Sequence, residues 1–316
     1  MPRSGLSLHS PDSRKLPALY EPELKHLSAK RAILIAGPTA SGKSQLAMKI
    51  ASALGGMIVN ADALQVYSCW RILTARPTPQ DEAKVPHSLY GHVQRTEKYS
   101  VGAWLKEIER LLSETTATPI VIVGGTGLYF TALTDGFSFI PAVPRSVSTE
   151  CDDAVSERGL EGLLRDLAEN DAESLSRIDR SNAARVRRAW EVWRSTGRGI
   201  AYWQSLPGTP VLKVDECERL VLNPERDSLA RRIGIRLETM LDHGLIEECK
   251  AAVGEWDPSL PSSRAIGAKQ FISHLAGELS LDEAIELTEI ATRQYAKRQR
   301  TWFRNRMKGW NWISQH

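Results

Sequence analysis

The stretch that decides the fold is Gly37-Pro38-Thr39-Ala40-Ser41-Gly42-Lys43-Ser44, which matches the phosphate-loop pattern G-x-x-x-x-G-K-S/T. An apolar run over residues 32–36 precedes it and is typical of a buried strand, whereas Leu46, Ile50 and Leu54 follow it at helical spacing. This order of strand, glycine-rich loop and helix is the context in which the pattern predicts phosphate binding.

Each residue type in this loop has a physical role at an anion site. Gly37 and Gly42 let the backbone turn its N–H groups toward a polyanion, and the N-terminus of the following helix adds positive potential. Lys43 supplies a charge, and the Ser44 hydroxyl can ligate the Mg²⁺ that accompanies a phosphate group. The strand and helix on either side disfavour a glycine-rich turn that binds nothing. The motif leaves open which phosphorylated ligand is bound.

Further apolar runs alternate with helical patterns in the first half of the chain. Residues 57–62 are predicted to form a second buried strand that ends on Asp62, and residues 119–123 a third strand that ends in Gly124-Gly125-Thr126-Gly127. An amphipathic helix is predicted between them, over 101–113. This alternation predicts an α/β fold with a P-loop NTPase-like parallel sheet flanked by helices.

The second half of the chain is mainly helical in pattern. Residues 141–207 show helical patterns only, so we predict an all-helical insertion domain there, with 29–140 and 208–316 forming the α/β core. The core segment after the insertion is predicted to contain a short strand over 220–222, a helix over 227–242, and two helices over about 282–290 and 291–308.

Composition limits the class of protein. The chain has 316 residues and four widely spaced cysteines, which form no C-x-x-C pair. This spacing argues against a zinc site and against a disulfide framework, so we expect a reducing compartment, the cytoplasm. Since no stretch approaches roughly 18 consecutive apolar residues, we expect no membrane segment. Residues 1–28 are predicted to be a disordered tail, with a weak transit peptide as the alternative.

The positive charge is concentrated at one end of the chain. The net charge is only +3, but no acidic residue follows Glu289. Seven basic residues lie in that stretch: Arg293, Lys297, Arg298, Arg300, Arg304, Arg306 and Lys308. A solvated helix face normally carries both signs of charge, so this pattern favours a nucleic-acid partner. The aromatic residues between these charges, Trp302 among them, are expected to pack in the core.

Asp62 and Thr126 are the candidate catalytic residues. In most P-loop NTPases the third strand ends on an Asp that helps to hold Mg²⁺, whereas here it ends on glycines. Open α/β sheets bind ligands at the carboxyl ends of their strands, where Asp62, Thr126 and the phosphate loop should meet. The structural alternatives are that Asp62 only caps a helix or pairs with a cation, and that the glycines only form a tight turn with positive φ.

Nine stretches of the sequence resemble the tRNA dimethylallyltransferase family, in order and over roughly residues 30–312. They are the phosphate loop, Asp62–Tyr67, Thr74–Pro77, Val85–His87, Tyr99-Ser100, Gly124–Tyr129, Asn182–Glu191, Ala265–Gly267 and Ala291–Gln299. The resemblance implies transfer of a dimethylallyl group from its diphosphate to N6 of the adenosine on the 3′ side of the anticodon, tRNA position 37, with release of diphosphate. It also implies a monomer.

The resemblance assigns roles to individual residues. Asp62 would be the general base and Thr126 would lie beside it, while Ser44 would hold Mg²⁺. The diphosphate would bind to Gly37, Pro38, Thr39, Ala40, Ser41, Gly42, Lys43, Ser44 and Arg232. The tRNA anticodon stem-loop would contact Asp62, Ala63, Leu64, Gln65, Thr126, Arg185, Arg187, Arg188, Arg293, Lys297, Arg298 and Arg300, the insertion domain supplying the arginines at 185–188.

Some positions depart from the family pattern. Ala63 stands where a Ser is common, residues 69–73 read Cys-Trp-Arg-Ile-Leu where Gly-Met-Asp-Ile-Gly is usual, and Ala268 replaces a usual Tyr. In the family these positions lie near RNA contacts, so they affect the expected RNA binding rather than the chemistry. Three other functions stay open: prenylation of a free adenine nucleotide, a P-loop small-molecule kinase, and an RNA-binding protein without catalytic activity.

Overall fold

A computed structural model describes residues 27, 30–115, 117, 119–138 and 140–315. The tail predicted over 1–28 therefore lies outside the described residues, apart from Leu27. The chain divides into two compact units, one formed by residues up to Phe130 together with Val214 onward, and the other by Thr131–Lys213. Within the described ranges, no helix is long and apolar enough to cross a membrane.

The first unit is built on a six-stranded sheet in which all strands are parallel. The strand order is β3-β2-β4-β1-β5-β6. The strands are β1 (Ala32–Ala36), β2 (Met57–Asn60), β3 (His87–Ser88), β4 (Ile120–Gly124), β5 (Cys217–Pro224) and β6 (Asn311–Gln315). The predicted parallel α/β sheet is confirmed, while the two edge strands β3 and β6 were not predicted.

The two central strands of the sheet, β1 and β4, are buried throughout, which explains their uninterrupted apolar runs in the sequence. Every residue of β1 and β4 is buried, as expected for strands covered on both faces by helices. Ala36 of β1 pairs with Gly124 of β4, and Asn60 of β2 pairs with Val123. The register therefore brings the carboxyl ends of β1, β2 and β4 to one edge of the sheet, where the phosphate loop, Asp62 and Thr126 begin.

Eight helices of the described residues belong wholly or partly to the first unit. They are α1 (Lys43–Leu54), α2 (Pro79–Lys84), α3 (Val101–Glu114), α4 (Gly127–Thr134, which continues into the second unit), α9 (Arg226–Asp242), α10 (Leu245–Ala252), α11 (Ala268–Leu275) and α12 (Leu281–Arg306). Helix α1 begins at Lys43 of the phosphate loop, and Gln299 of α12 is hydrogen-bonded to that loop. Helices α10 and α11 contribute to a smaller apolar cluster that contains Trp70 and Leu73.

The two predicted C-terminal helices are one continuous helix, so that prediction was wrong. Helix α12 begins at a capping box, in which Ser280 and Glu283 each hydrogen-bond the other's backbone N–H, and it runs unbroken to Arg306. No glycine or proline interrupts residues 281–306, and the apolar positions Ala284, Ala296 and Phe303 are buried along its length. Local sequence contained no signal that would end the helix near residue 290.

The second unit contains four more helices, and no strand is found among its described residues. They are α5 (Arg145–Asn170), α6 (Ala172–Arg177), α7 (Ala183–Thr196) and α8 (Ile200–Ser205). Helix α5 is kinked at Gly159, whose φ of 65° is not helical. Leu163 and Leu167 of α5 pack against Val186 and Trp190 of α7, which gives this unit its own core.

Candidate active site and nucleic-acid interface

The phosphate loop has the strained backbone expected of an anion cradle. Ala40 and Gly42 adopt positive φ angles of 60° and 85°, a conformation that is costly for a non-glycine residue and concentrates at functional sites. A Cβ at Gly37 would lie 2.7 Å from Ser41 Oγ and 3.3 Å from Leu222 Cβ, so a larger residue there would displace the Ser41 hydroxyl. Ser41 Oγ is buried and has no hydrogen-bond partner within the described residues, which leaves a polar group ready for a ligand oxygen.

Lys43 is held inside the loop rather than extended into solvent. Its Nζ donates to Pro38 O at 3.3 Å. Burial lowers the pKa of Lys43 to about 8; Arg236 also lowers this pKa, while Asp62 raises it. A bound polyanion would favour the charged amine and raise the same pKa, so Lys43 is prepared to pair with a phosphate ligand.

Helix α9 brings two arginines to the loop. Arg232 Nη1 donates a hydrogen bond to Ser41 O at 3.4 Å. Arg232, which was predicted to bind the diphosphate, therefore lies at the phosphate loop. One turn later, Arg236 Nη2 donates to Thr74 O at 3.3 Å, and burial lowers the pKa of Arg236 although Asp62 raises it. Arg236 was not predicted as a site residue; its i+4 spacing from Arg232 was the available signal.

Asp62 lies directly after β2 and has two distinct oxygen environments. Oδ1 accepts a hydrogen bond from Leu64 N at 3.0 Å, and Asn60 Oδ1 accepts one from Asp62 N at 2.8 Å. Oδ2 faces the Gly124–Thr126 turn, since a Cβ built at Gly125 would lie 3.3 Å from it. Asp62 therefore fixes a local turn with one oxygen and keeps the other available for a substrate; it neither caps a helix nor forms an ion pair with a described residue.

Three tyrosines are close enough to Asp62 to be affected by its charge. The pKa values of Tyr90, Tyr129 and Tyr295 are all raised, first by burial and then by the Asp62 carboxylate. Their hydroxyls therefore stay protonated and neutral at physiological pH. Tyr129 also stacks on Trp104, with ring centroids 4.5 Å apart. The Asp62 carboxylate therefore interacts with the cations Lys43 and Arg236 as well as with these neutral aromatic side chains.

Thr126 connects the ends of β2 and β4. Thr126 Oγ1 accepts a hydrogen bond from Ala63 N at 3.0 Å, and Thr126 N donates to Ala61 O at 3.2 Å. A Cβ at Gly124 would lie 2.0 Å from Ala61 O. Gly124 is therefore required by close packing of two strands; the alternative that this turn needs a positive φ was wrong, because none of its glycines has one.

Gln299 is a buried site residue that the sequence analysis did not single out. Gln299 Oε1 accepts a hydrogen bond from Thr39 N at 2.9 Å, and Gln299 Nε2 donates to Gly125 O at 2.9 Å. One side chain of α12 thereby connects the phosphate loop to the turn after β4. Its presence in the stretch Ala291–Gln299 that resembles a known family was the only available signal.

The segment after Asp62 is held by side chains from two directions. Gln65 Nε2 donates to Thr74 O at 2.8 Å and to Ala75 O at 3.1 Å. The Glu248 carboxylate accepts hydrogen bonds from the backbone N–H groups of residues 71, 72 and 73, at 2.7–2.8 Å. The segment 69–73 that departs from the family pattern is therefore firmly placed, and Ala268, another departure, is fully buried.

The basic residues of α12 line two grooves on the first unit. One groove, between α9 and α12, contains Arg226, Arg293, Lys297, Arg300 and Arg304 above the apolar residues Leu229, Ile233 and Ala296. The second contains Lys297, Arg298, Trp302 and Arg306. The positive charge of Arg293 is partly neutralised by Glu289, whose Oε2 lies 2.8 Å from Arg293 Nη1. Arg300 Nε is buried without a partner among the described residues. Arg293, Lys297 and Arg300 share one groove, because their spacing of four and three residues places them on one face of the helix.

The arginines predicted in the insertion lie on α7. Arg185 is exposed, whereas Arg187 and Arg188 are half-buried. Arg187 forms an ion pair with Asp152, so part of its charge is already neutralised within the second unit. Binding of RNA by these three residues stays a prediction.

The residues around Ser44 fit a magnesium ion that is bound together with a phosphate ligand. Ser44 is exposed in the first turn of α1. Among the described residues, no group of three His, Cys, Asp or Glu side chains could hold a metal. Mg²⁺ commonly binds through one or two protein oxygens, substrate phosphates and water rather than in a cage made by protein alone. The Ser44 hydroxyl and the cradle beside it match that donor set.

Comparison with known proteins identifies the family. The family model described as IPP transferase matches residues 65–306, and one described as isopentenyl transferase matches residues 30–90. The chain belongs to the IPP transferase family. A tRNA dimethylallyltransferase of Cereibacter sphaeroides (strain KD131) is 52% identical over 304 residues, which cover 96% of this chain and 95% of that protein. One from Dinoroseobacter shibae is 54% identical over 289 residues, 92% and 96% of the two chains.

Solved structures of IPP transferase relatives share the fold. The full-length tRNA isopentenylpyrophosphate transferase of Bacillus halodurans is 31% identical, with a TM-score of 0.63 over 90% of each chain. A eukaryotic dimethylallyltransferase that acts on tRNA has a TM-score of 0.77 at 24% identity, over 90% of this chain and 74% of that one. These likenesses confirm the P-loop NTPase-like core.

Proposed function

We propose that this IPP transferase family member moves a dimethylallyl group from dimethylallyl diphosphate to N6 of the adenosine on the 3′ side of the anticodon in tRNA. The observation that carries the proposal is the Asp62 carboxylate, which has Oδ2 available beside the turn after β4 and interacts electrostatically with Lys43 of the phosphate loop. Relatives about half identical to this chain bear the name tRNA dimethylallyltransferase. A phosphate loop combined with a carboxylate that has one oxygen available suits a diphosphate leaving group and an amine nucleophile.

The phosphate loop binds the leaving group in this proposal. Backbone N–H groups, Ser41 Oγ, Lys43 and Arg232 hold the diphosphate, and their positive potential stabilises the negative charge that grows as the allylic C–O bond breaks. Bound at Ser44, Mg²⁺ would add Lewis-acid stabilisation of the same oxygens. The strained backbone at Ala40 keeps these donors preorganised, so little reorganisation is needed when the bond breaks.

Asp62 completes the reaction by taking a proton. The N6 amine attacks the allylic carbon, a new C–N bond forms, the C–O bond to diphosphate breaks, and Asp62 Oδ2 accepts the proton that N6 loses. Thr126, whose hydroxyl already binds Ala63 N, keeps Asp62 at the correct distance from the turn after β4. The neutral tyrosines around the carboxylate exclude water, which would otherwise hydrolyse an allylic cation.

The tRNA is held by the basic grooves of α12. A folded RNA presents phosphates at regular spacing, and a groove with five cationic residues offers a complementary surface. The target adenosine must leave its stack to reach Asp62, at a cost of a few kcal/mol that such contacts offset. The residues at 63–65 and the arginines at 185–188 of the insertion complete the proposed RNA contacts. All of these residues belong to one chain, which suits a monomer.

The basic grooves of α12 disfavour two of the three alternative functions. A small-molecule kinase or an enzyme for free adenine nucleotides would not need two basic grooves on a C-terminal helix. We also propose a reducing compartment, the cytoplasm, which the four free thiols of the cysteines support.

A labelling experiment tests the function directly. The protein is incubated with labelled dimethylallyl diphosphate and Mg²⁺, and then with tRNA, AMP or ATP. We expect label on tRNA only, no requirement for ATP, and loss of transfer when a chelator removes Mg²⁺. Label on AMP but not on tRNA would assign the protein to nucleotide prenylation, and no transfer to any acceptor would contradict an enzymatic role.

A further inference from the structure

Trp302 on α12 is exposed, contrary to the prediction that it packs in the core. The chain has nine tryptophans, all within the described residues, and Trp302 is the only one in the exposed class, with 36% of its surface accessible. Five of the others donate an indole hydrogen bond: Trp70, Trp104, Trp190, Trp203 and Trp312. An exposed aromatic ring on a basic helix face is a surface on which a nucleic-acid base can stack.

The position of Trp302 places it at the edge of the candidate active site. A Cβ built at Gly127 would lie 2.1 Å from Trp302 Cδ1 and 2.2 Å from Nε1. One edge of the indole therefore rests on the backbone of Gly127, the residue directly after Thr126. Because Thr126 is hydrogen-bonded to Ala63 next to Asp62, a group that lay on the Trp302 ring would be a neighbour of the group that reacts at Asp62.

The charges around Trp302 suit a nucleotide. The ring lines a groove of about 580 Å³ with Lys297, Arg298 and Arg306, and no acidic residue lines this groove. The Arg306 guanidinium lies over the Trp302 ring, 5.8 Å from its centroid, within the range of a cation–π interaction. Arg306 therefore covers part of the ring and can itself bind a phosphate, while the rest of the exposed indole is left for a base.

We propose that Trp302 is a stacking platform for an unpaired base of the RNA substrate, the nucleotide next to the adenosine that enters the site. This inference rests on the proposed function. When the target base leaves the helix stack, its neighbour loses a stacking partner, and an exposed indole beside Gly127 replaces it. Stacking of a base on an aromatic side chain contributes about 1–3 kcal/mol and tolerates any base, so Trp302 strengthens binding without reading sequence.

The competing explanation is that Trp302 only supports the Gly127 turn. Two variants distinguish these roles: Trp302→Ala removes the ring, and Trp302→Phe keeps a smaller aromatic face. Leu287→Ala is the matched control, since it removes another exposed apolar side chain of α12, fifteen residues away in the sequence. Thermal unfolding of all three proteins verifies that each is folded before tRNA binding is measured.

We expect Trp302→Ala to weaken tRNA binding by about 5- to 150-fold, the range that corresponds to 1–3 kcal/mol. Trp302→Phe should restore most of the affinity, and Leu287→Ala should bind as the wild type does. Because stacking releases no counterions, the slope of log K against log salt should not change. Binding of dimethylallyl diphosphate without RNA should also stay constant.

Tryptophan fluorescence gives a second readout. Adding tRNA should quench a component of wild-type emission that is missing in Trp302→Phe. Unchanged tRNA affinity in Trp302→Ala, or a loss of kcat alone, would overturn the proposal and favour support of the turn. If wild-type protein fails to prenylate tRNA, the proposed function itself fails. If the wild type is active and Trp302→Ala binds tRNA normally, only the stacking role is excluded.

Discussion

Gln299 accepts a hydrogen bond from Thr39 N at 2.9 Å, although the two residues are 260 positions apart in the sequence. The same side chain donates to Gly125 O, so a residue of the basic helix α12 is joined both to the phosphate loop and to the turn beside Asp62. The helix that is proposed to bind RNA and the loop that is proposed to bind diphosphate are therefore joined through one buried amide group.

Gln299→Met should separate these elements while it preserves side-chain volume. The substitution leaves Thr39 N and Gly125 O without partners, and each unsatisfied buried group costs about 1–3 kcal/mol. We expect lower stability in chemical denaturation and weaker binding of dimethylallyl diphosphate by calorimetry. Gln294→Met, on the exposed surface of the same helix, is the control. Diphosphate affinity equal to that of the wild type would show that Gln299 does not position the loop.

Asp62→Asn should abolish most of the catalysis and spare binding. An Asn at this position can still accept the hydrogen bond from Leu64 N, so the local turn is retained, but it cannot accept the N6 proton. General-base catalysis contributes roughly 10²–10⁴-fold, and we expect kcat to fall by that factor in single-turnover assays. A variant with normal kcat and a raised KM for tRNA would make Asp62 a binding residue and contradict the mechanism.

Lys43 should make diphosphate binding sensitive to alkaline pH. Its pKa in the free protein is about 8 instead of 10.5, chiefly because of burial, and only the protonated amine attracts the anion. We expect affinity for dimethylallyl diphosphate to decrease as the pH rises through 8 and 9. Lys43→Met should bind weakly at every pH, whereas Lys49→Met, which removes an exposed lysine of the same helix, should keep the wild-type profile.

The same pKa shift has a consequence for the stability of the free protein. Between pH 8 and 10.5 the unfolded chain keeps a proton on Lys43 that the folded chain has released, so the free energy of unfolding should gain a contribution that rises with pH over this interval. Lys43→Met removes that contribution. Identical pH dependence of unfolding in the wild type and Lys43→Met would show that the lysine is not buried.

The basic groove between α9 and α12 should account for part of the salt dependence of tRNA binding. Replacing Lys297 and Arg300 by Gln should flatten the slope of log K against log salt by about 0.7–0.9 for each phosphate that is no longer neutralised. The affinity should fall equally for all substrate tRNAs, since phosphates carry no sequence. Lys106→Gln with Arg110→Gln, both exposed on α3, changes the net charge equally and is the control. Equal slopes of log K against log salt for the two double variants would show that this groove does not bind tRNA phosphates.

The strands β1, β2 and β4, the phosphate loop and helices α3 and α9 could be predicted from sequence because their signals are local. Apolar runs that end on glycines, and apolar residues at helical spacing, each lie within about 15 neighbouring residues. The edge strands β3 and β6 have no such signal. β3 pairs only two residues with β2, and β6 is a strand because β5 offers it a partner.

The sequence by itself determined which chemical groups are present: a phosphate loop, a carboxylate after β2, and an acid-free basic end. Only the tertiary structure decided how these groups are used. Arg236, Gln299 and Glu248 reach the site from distant helices, and the exposure of Trp302 and the pKa of Lys43 depend on what packs around them. Burial and long-range hydrogen bonds are properties of a packed chain, so no short stretch of sequence contains them.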